Sequence, residues 1–117
     1  MVMKIGVDIE DIERFKGKSQ GFLDRIFTEN EQKYCKSFRN PESRFCARFC
    51  AKEAVVKALS GFGVKNVRYS EIEVFHDKNS CPNIRILKNL NRNFVINLSI
   101  SHEKSKAIAF VTIEEIH

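Results

Sequence analysis

Polar and apolar positions alternate along residues 4–10, with Ile5, Val7 and Ile9 on one face and Gly6, Asp8 and Glu10 on the other. A period of two predicts a β-strand with one apolar face. Residues 11–20 are charged and contain Gly17, and read as a loop or a short helical turn. Thr28-Glu29-Asn30-Glu31 has the layout of a capping box, which opens a helix to about Phe38. Asn40 as cap and Pro41 in the first helical position start a second helix, which runs to about Leu59 or Ser60 and stops at Gly61. Strands are expected at 71–76, 83–87, 94–101 and 107–113. Residues 77–80 read as a hairpin turn, and the last strand pairs back through a turn at 101–105. Helices early and strands late predict an α+β fold, a small antiparallel sheet packed with a long helix and shorter helices.

Composition narrows the class. The 117 residues contain no internal repeat, low-complexity run or Pro/Ser linker, so a single domain over 1–117 is expected. Ten Phe against two Pro and five Gly argue for a packed core rather than disorder. No apolar run approaches the ~20 residues of a membrane span. Acids interrupt the apolar stretch at the amino end, unlike a signal peptide, which makes the cytoplasm the expected compartment. The net charge of +5 suits an anionic partner without choosing among phosphate, nucleic acid and acidic protein. Cys35, Cys46, Cys50 and Cys81 form no CxxC pair and read as reduced thiols. Cys46 and Cys50 share a helix face, but no His or second Cys pair stands at zinc spacing.

The long helix carries charges where a core face should be clean. Phe49, Val56 and Leu59 fall within roughly 40° of Phe45 on a helical wheel, and Lys52 lies inside that stripe. Glu53 and Lys57, four apart, sit beside it, and Arg44 and Arg48 flank its other edge. The ordinary explanation is a snorkelling lysine and a surface pair worth ~0.3–0.5 kcal/mol. Cys50, Ala54 and Val55 lie off the stripe, however, so little of this helix can be solvated. Charges on such a helix are paired or line a polar cleft. Arg44, Arg48, Lys52 and Lys57 around one glutamate suit a phosphorylated ligand. Asp8 either caps the loop after the first strand or, with Glu53, supplies two hard oxygen ligands for Mg²⁺. Spacing alone does not bring those two acids together.

Ile5-Gly6-Val7-Asp8-Ile9, Arg14-Phe15, Arg25-Ile26-Phe27-Thr28-Glu29, the run Arg48-Phe49-Cys50-Ala51-Lys52-Glu53-Ala54-Val55-Val56-Lys57-Ala58, Gly61-Phe62-Gly63, Ile72-Glu73-Val74 and Leu98-Ser99-Ile100-Ser101-His102 follow one another in order. Together they resemble the holo-[acyl-carrier-protein] synthase family over essentially the whole chain. The resemblance implies a 4′-phosphopantetheinyl transferase-like fold. It also implies transfer of the 4′-phosphopantetheine arm of coenzyme A to a serine of apo-acyl carrier protein, with release of adenosine 3′,5′-bisphosphate, in support of fatty acid biosynthesis. By motif, Asp8 and Glu53 would bind Mg²⁺ and Lys57 would neutralise charge as the β-phosphorus is attacked. Arg44, Arg48, Lys52 and His102, with Ser101 beside it, would hold the adenosine and 3′-phosphate end. Gly61 and Gly63 would let backbone approach the ligand. Similar proteins are homotrimers with active sites at subunit interfaces.

Arg14 and Arg25, with Lys16 and Lys18, are the basic residues expected against the acidic carrier protein. Glu10 resembles the third acid of the larger monomeric phosphopantetheinyl transferases, and either ligates the metal or faces solvent. Two departures stand out: Cys50 replaces a usual alanine, and Asn79-Ser80-Cys81-Pro82 replaces an Asn-Gly-x-Pro turn. A nucleic-acid-binding module would instead interleave exposed aromatics with Lys and Arg, a pattern the Phe positions do not follow. A non-enzymatic interaction protein would leave Asp8, Glu53 and Lys57 without a role.

Overall fold

The computed structural model describes residues 2–117. The chain runs β1 (Met3–Asp11), a 3-10 turn (Ile12–Phe15), α1 (Gln20–Ile26), α2 (Glu29–Lys36), α3 (Pro41–Ser60), a second 3-10 turn (Tyr69–Glu71), β2 (Ile72–His76), β3 (Pro82–Ile86), β4 (Asn93–His102) and β5 (Lys106–Ile116). The α+β class and all five strands are as expected, but the strands form two antiparallel sheets, β1-β5-β4 and β2-β3. β1 takes the place beside β5, a long-range pairing that no local pattern announces. None of the described helices is long and apolar enough to cross a membrane.

Helix α3 is the spine. It lies on β1 and β5, and Cys46, Cys50, Ala51, Ala54, Val55, Ala58 and Leu59 on it are all buried. Small residues bring it close: a Cβ on Gly6 would stand 1.9 Å from the Ala54 carbonyl oxygen, so only glycine fits there. The Cys46 and Cys50 thiols donate to the carbonyls of Glu10 at 3.6 Å and Ala107 at 3.3 Å, tying helix to strands and leaving no metal pair.

The face of β1 that turns inward is the one bearing Gly6, Asp8 and Glu10. Its apolar row points out, with Ile5, Val7 and Ile9 exposed by 63%, 50% and 57%. Val7 pairs with Phe110 and Ile9 with Ile108, and those partners are exposed too. The sheet thus offers solvent an apolar outer face and reserves its polar row for α3.

The Thr28–Glu31 capping box forms as expected, with α2 ending at Lys36 rather than Phe38. Pro41 starts α3, but the Asn40 side chain makes no capping bond. Gly61 ends that helix in an ordinary helical conformation, and the left-handed residue is Gly63 at φ 81°. In the β2–β3 hairpin Ser80 takes φ 61°, the left-handed role that a glycine usually fills, while Asp77 accepts from the amides of Asn79 and Cys81. Helix α1 has no counterpart in the hydrophobic pattern. It is only seven residues long, and Ser19 caps it by accepting from the Phe22 amide.

Candidate active site

The close approach at Gly6 sets Asp8 and Glu10, the next two inward residues of β1, against the middle of α3. Asp8 is nearly buried, and its Oδ1 accepts from the Lys57 ammonium at 3.1 Å. The same ammonium donates to the Val7 carbonyl at 2.9 Å. Asp8 Oδ2 is buried with no hydrogen-bond partner. Glu10 stands next to the Asp8 carboxyl and forms an ion pair with Arg14. Burial first, and the neighbouring Asp8 carboxyl second, push the Glu10 pKa up to about 7. Glu53 joins the cluster from α3, close enough for its charge to act on Glu10, and accepts a hydrogen bond from the Tyr69 hydroxyl. That bond, then burial, pushes the Tyr69 phenol up to about 12.

Asp8, Glu53 and Lys57 are thus brought together, with Glu10 among them. Among the described residues no three or more His, Cys, Asp and Glu side chains close into a metal cage. A cation here would bind one or two carboxylates and complete its shell with water and phosphate oxygens, which is how Mg²⁺ is commonly held. The orphaned Asp8 Oδ2 is an acceptor that such an ion would satisfy.

A basic cluster lies further along α3. The Arg48 guanidinium sits 4.1 Å over the Tyr34 ring and the Arg44 guanidinium 4.1 Å over Phe38. Arg48 Nη2 is 3.4 Å from His76 Nδ1, and His76 stacks on Tyr34. Burial, then the charges of Arg48 and Arg44, hold the His76 pKa below its ordinary value. Arg48 is buried, yet its Nε has no acceptor and no carboxylate pairs with it among the described residues. Tyr34 and Phe38, an i, i+4 aromatic pair beside the i, i+4 arginines, were legible in retrospect. Tyr69 left no signal, because it lies in no periodic segment, and His76, although at the end of an expected strand, had nothing local to pair it with Arg48.

Lys52 requires a correction. It has no exposed surface, and its ammonium is taken up by the carbonyls of Tyr69, at 2.8 Å, and Ile72, and by Glu31 Oε1 at 2.7 Å. Nothing remains to meet a ligand. Its work is to hold α3, α2 and the start of β2 together, since Glu31 also accepts from the amides of Thr28 and Val74.

Ser101 faces outward beside Ile108, on the opposite side of the sheet from Asp8. His102, exposed at the end of β4, lies one strand beyond Ala107 from Glu10 and lines a cavity of about 610 Å³ with Lys16 and Ser43. Neither meets the acids within one chain. A Cβ on Gly61 would meet the Lys4 side chain and the Ala58 carbonyl oxygen, whereas Gly63 is open to solvent. Arg25, Arg68 and Tyr69 line a second cleft of about 610 Å³. Arg14 is exposed but tethered to Glu10, Lys16 pairs with Glu13, and Lys18 lies over Phe22.

Known proteins show the same design. The family model of the 4′-phosphopantetheinyl transferase superfamily matches residues 4–111. A holo-[acyl-carrier-protein] synthase of Clostridium tetani is 38% identical over 97% of both chains. One of Chlamydia caviae is 46% identical over 90% of this chain and 91% of its own. Among solved structures, a holo-(acyl-carrier-protein) synthase of Bacillus anthracis in complex with CoA (3′,5′-ADP) superposes with a TM-score of 0.80 at 32% identity, covering 97% of this chain and 98% of that one. The Helicobacter pylori holo-[acyl-carrier-protein] synthase in complex with coenzyme A gives 0.79 at 29% identity, covering 94% and 99%. With near-complete coverage in sequence and fold alike, the chain belongs to the holo-[acyl-carrier-protein] synthase family of 4′-phosphopantetheinyl transferases.

Proposed function

We propose that this enzyme moves the 4′-phosphopantetheine arm of coenzyme A onto a serine of apo-acyl carrier protein, releasing adenosine 3′,5′-bisphosphate, in the cytoplasm and in support of fatty acid biosynthesis. The observation that carries this reading is Asp8 Oδ2, a buried carboxylate oxygen without a partner, set beside Glu10, Glu53 and the Lys57 ammonium. Asp8 and Glu53 would hold Mg²⁺. When bound, the ion supplies charge neutralisation across the pyrophosphate and a template for the phosphorus under attack.

The serine oxygen forms a bond to the β-phosphorus, and the bond from that phosphorus to the bridging oxygen breaks. Adenosine 3′,5′-bisphosphate leaves with the electron pair. The serine proton passes to water beside Asp8, Glu10 and Glu53, while the Tyr69 hydroxyl engages Glu53 Oε1. Lys57, held by Asp8 and the Val7 carbonyl, presents positive charge to the pyrophosphate. At the other end Arg44 and Arg48, flattened against aromatic rings, await the adenosine 3′-phosphate, which would give the orphaned Arg48 Nε its acceptor.

The apolar outer face supports a homotrimer. Ile5, Val7, Ile9, Ile108 and Phe110, exposed on one side of adjacent strands, form an apolar surface of the kind that marks a contact site. Ser101, on that same face beside Ile108, would meet the neighbouring copy in such an assembly. Arg14 and Arg25 remain the basic residues for the acidic carrier protein.

Incubation with coenzyme A, Mg²⁺ and apo-carrier protein tests the function. The carrier protein gains one phosphopantetheine arm by intact mass, and an unchanged mass would reject the reading. A charge-stabilising Lys57 gives a second expectation. Lys57→Arg retains part of the activity, because arginine stays protonated at every working pH. Lys57→Met loses on the order of 10²-fold or more in kcat. Equal loss in both variants, with coenzyme A still bound, would mean that charge alone is not enough and that Lys57 needs its own geometry or a proton-transfer role.

A further inference from the structure

Asp8 is steadied by Lys57 and Glu10 by Arg14, but no lysine or arginine among the described residues pairs with Glu53. Its one side-chain hydrogen bond comes from the Tyr69 hydroxyl. Left alone, a glutamate with three side-chain torsions on a partly exposed helix face samples many rotamers, and each lost rotamer must be compensated when an ion binds. Tyr69 removes that freedom only if Tyr69 itself cannot move.

The structure shows why it does not. Its backbone carbonyl accepts from the Lys52 ammonium at 2.8 Å, so adjacent residues of α3 grip Tyr69 twice, Lys52 by the main chain and Glu53 by the side chain. Lys52 is in turn fixed by Glu31, at 2.7 Å, with both side chains wholly buried. The Tyr69 ring packs on Phe49, with centroids 5.4 Å apart. A buried ion pair thus reaches the edge of the active site through one phenol.

We propose that Tyr69 is a positioning residue for the reaction: its hydroxyl engages Glu53 Oε1 and so presents Oε2 to the cation, while the Glu31–Lys52 pair anchors the turn that carries it. The inference rests on the reading of Glu53 as a Mg²⁺ ligand. In this role Tyr69 need touch neither substrate nor ion. It acts as the outer partners of metal-bound carboxylates do, by orientation.

Tyr69→Phe keeps the ring on Phe49 and the carbonyl on Lys52 and removes only the hydroxyl, so it isolates the effect. Mn²⁺ serves as the probe, its binding read from the loss of free-ion signal in electron paramagnetic resonance. In Tyr69→Phe the affinity for Mn²⁺ falls by roughly ten-fold, and the Mg²⁺ concentration for half-maximal transfer rises by a similar factor. The KM for coenzyme A and the melting temperature stay at wild-type values. In a Glu53→Gln background the same substitution changes nothing further, since the two residues act as one unit. Wild-type Mn²⁺ affinity in Tyr69→Phe, with affinity lost in Glu53→Gln, would overturn the role of Tyr69 alone. A lowered melting temperature with equal loss of coenzyme A and Mn²⁺ binding would overturn it in favour of a structural part. Wild-type Mn²⁺ affinity in Glu53→Gln would instead remove Glu53 as a ligand, a failure distinct from the other two.

Discussion

Asp8→Asn and Glu53→Gln are each expected to give a folded protein whose Mg²⁺-dependent transfer is lower by at least ~10²–10³-fold. Either amide keeps the shape of the acid and loses the anionic oxygen that a hard cation requires. Asp8 Oδ2 makes no hydrogen bond, so exchanging it for an amide breaks none, and only the bond from Lys57 to Oδ1 is weakened. Far-ultraviolet circular dichroism checks the fold and carrier-protein mass reads the activity. Wild-type turnover in both variants would remove the pair as ligands. An active Asp8→Asn beside an inactive Glu53→Gln would hand the role to Glu10, the neighbouring acid of β1.

Lys52→Met should cost about 3–5 kcal/mol of stability, measured by urea unfolding. The substitution matches the lysine in length and leaves Glu31 as a buried charge with no counterion, next to two carbonyls that have lost their donor. Burial already holds the Lys52 ammonium below its ordinary pKa, with the charge of Glu31 pulling the other way. Most of the loss is therefore the penalty on the abandoned carboxylate. Adding Glu31→Gln should recover part of it, because the amide removes the buried charge, although its single oxygen can accept from only one of Thr28 and Val74. A loss below about 1 kcal/mol in Lys52→Met would mean that the ion pair is worth no more than an exposed one.

Lys52 also illustrates what a sequence can and cannot convey. Its place inside an apolar stripe was visible on a helical wheel, as was the Thr28–Glu31 box. That the same Glu31 would use its carboxylate to hold Lys52 was not, since the two meet only after α2 and α3 pack. The alternation of 4–10 announced a strand correctly but says nothing of which face meets a helix. Gly6 decides that, by letting Ala54 approach where no side chain could stand. Asp8, Glu53 and Lys57 were legible as a family pattern, and their meeting depends on the pairing of β1 with β5 from opposite ends of the fold. Tyr69 sits in a 3-10 turn of three residues, too short to carry any period, so its reach to Glu53 is a property of tertiary structure alone.

The outward apolar row of β1 also sets how the protein behaves as its concentration changes. In the order β1-β5-β4, β1 is an edge strand, nine residues long, with apolar side chains on its free face. Such an edge invites pairing with foreign strands unless something occupies it. Whatever covers the row binds the folded chain and not the unfolded one, so by mass action the melting temperature rises with the concentration of the covering species. Dilution uncovers the row and favours aggregation on surfaces and edges, so handling losses should be worst in the most dilute preparations rather than in the most concentrated.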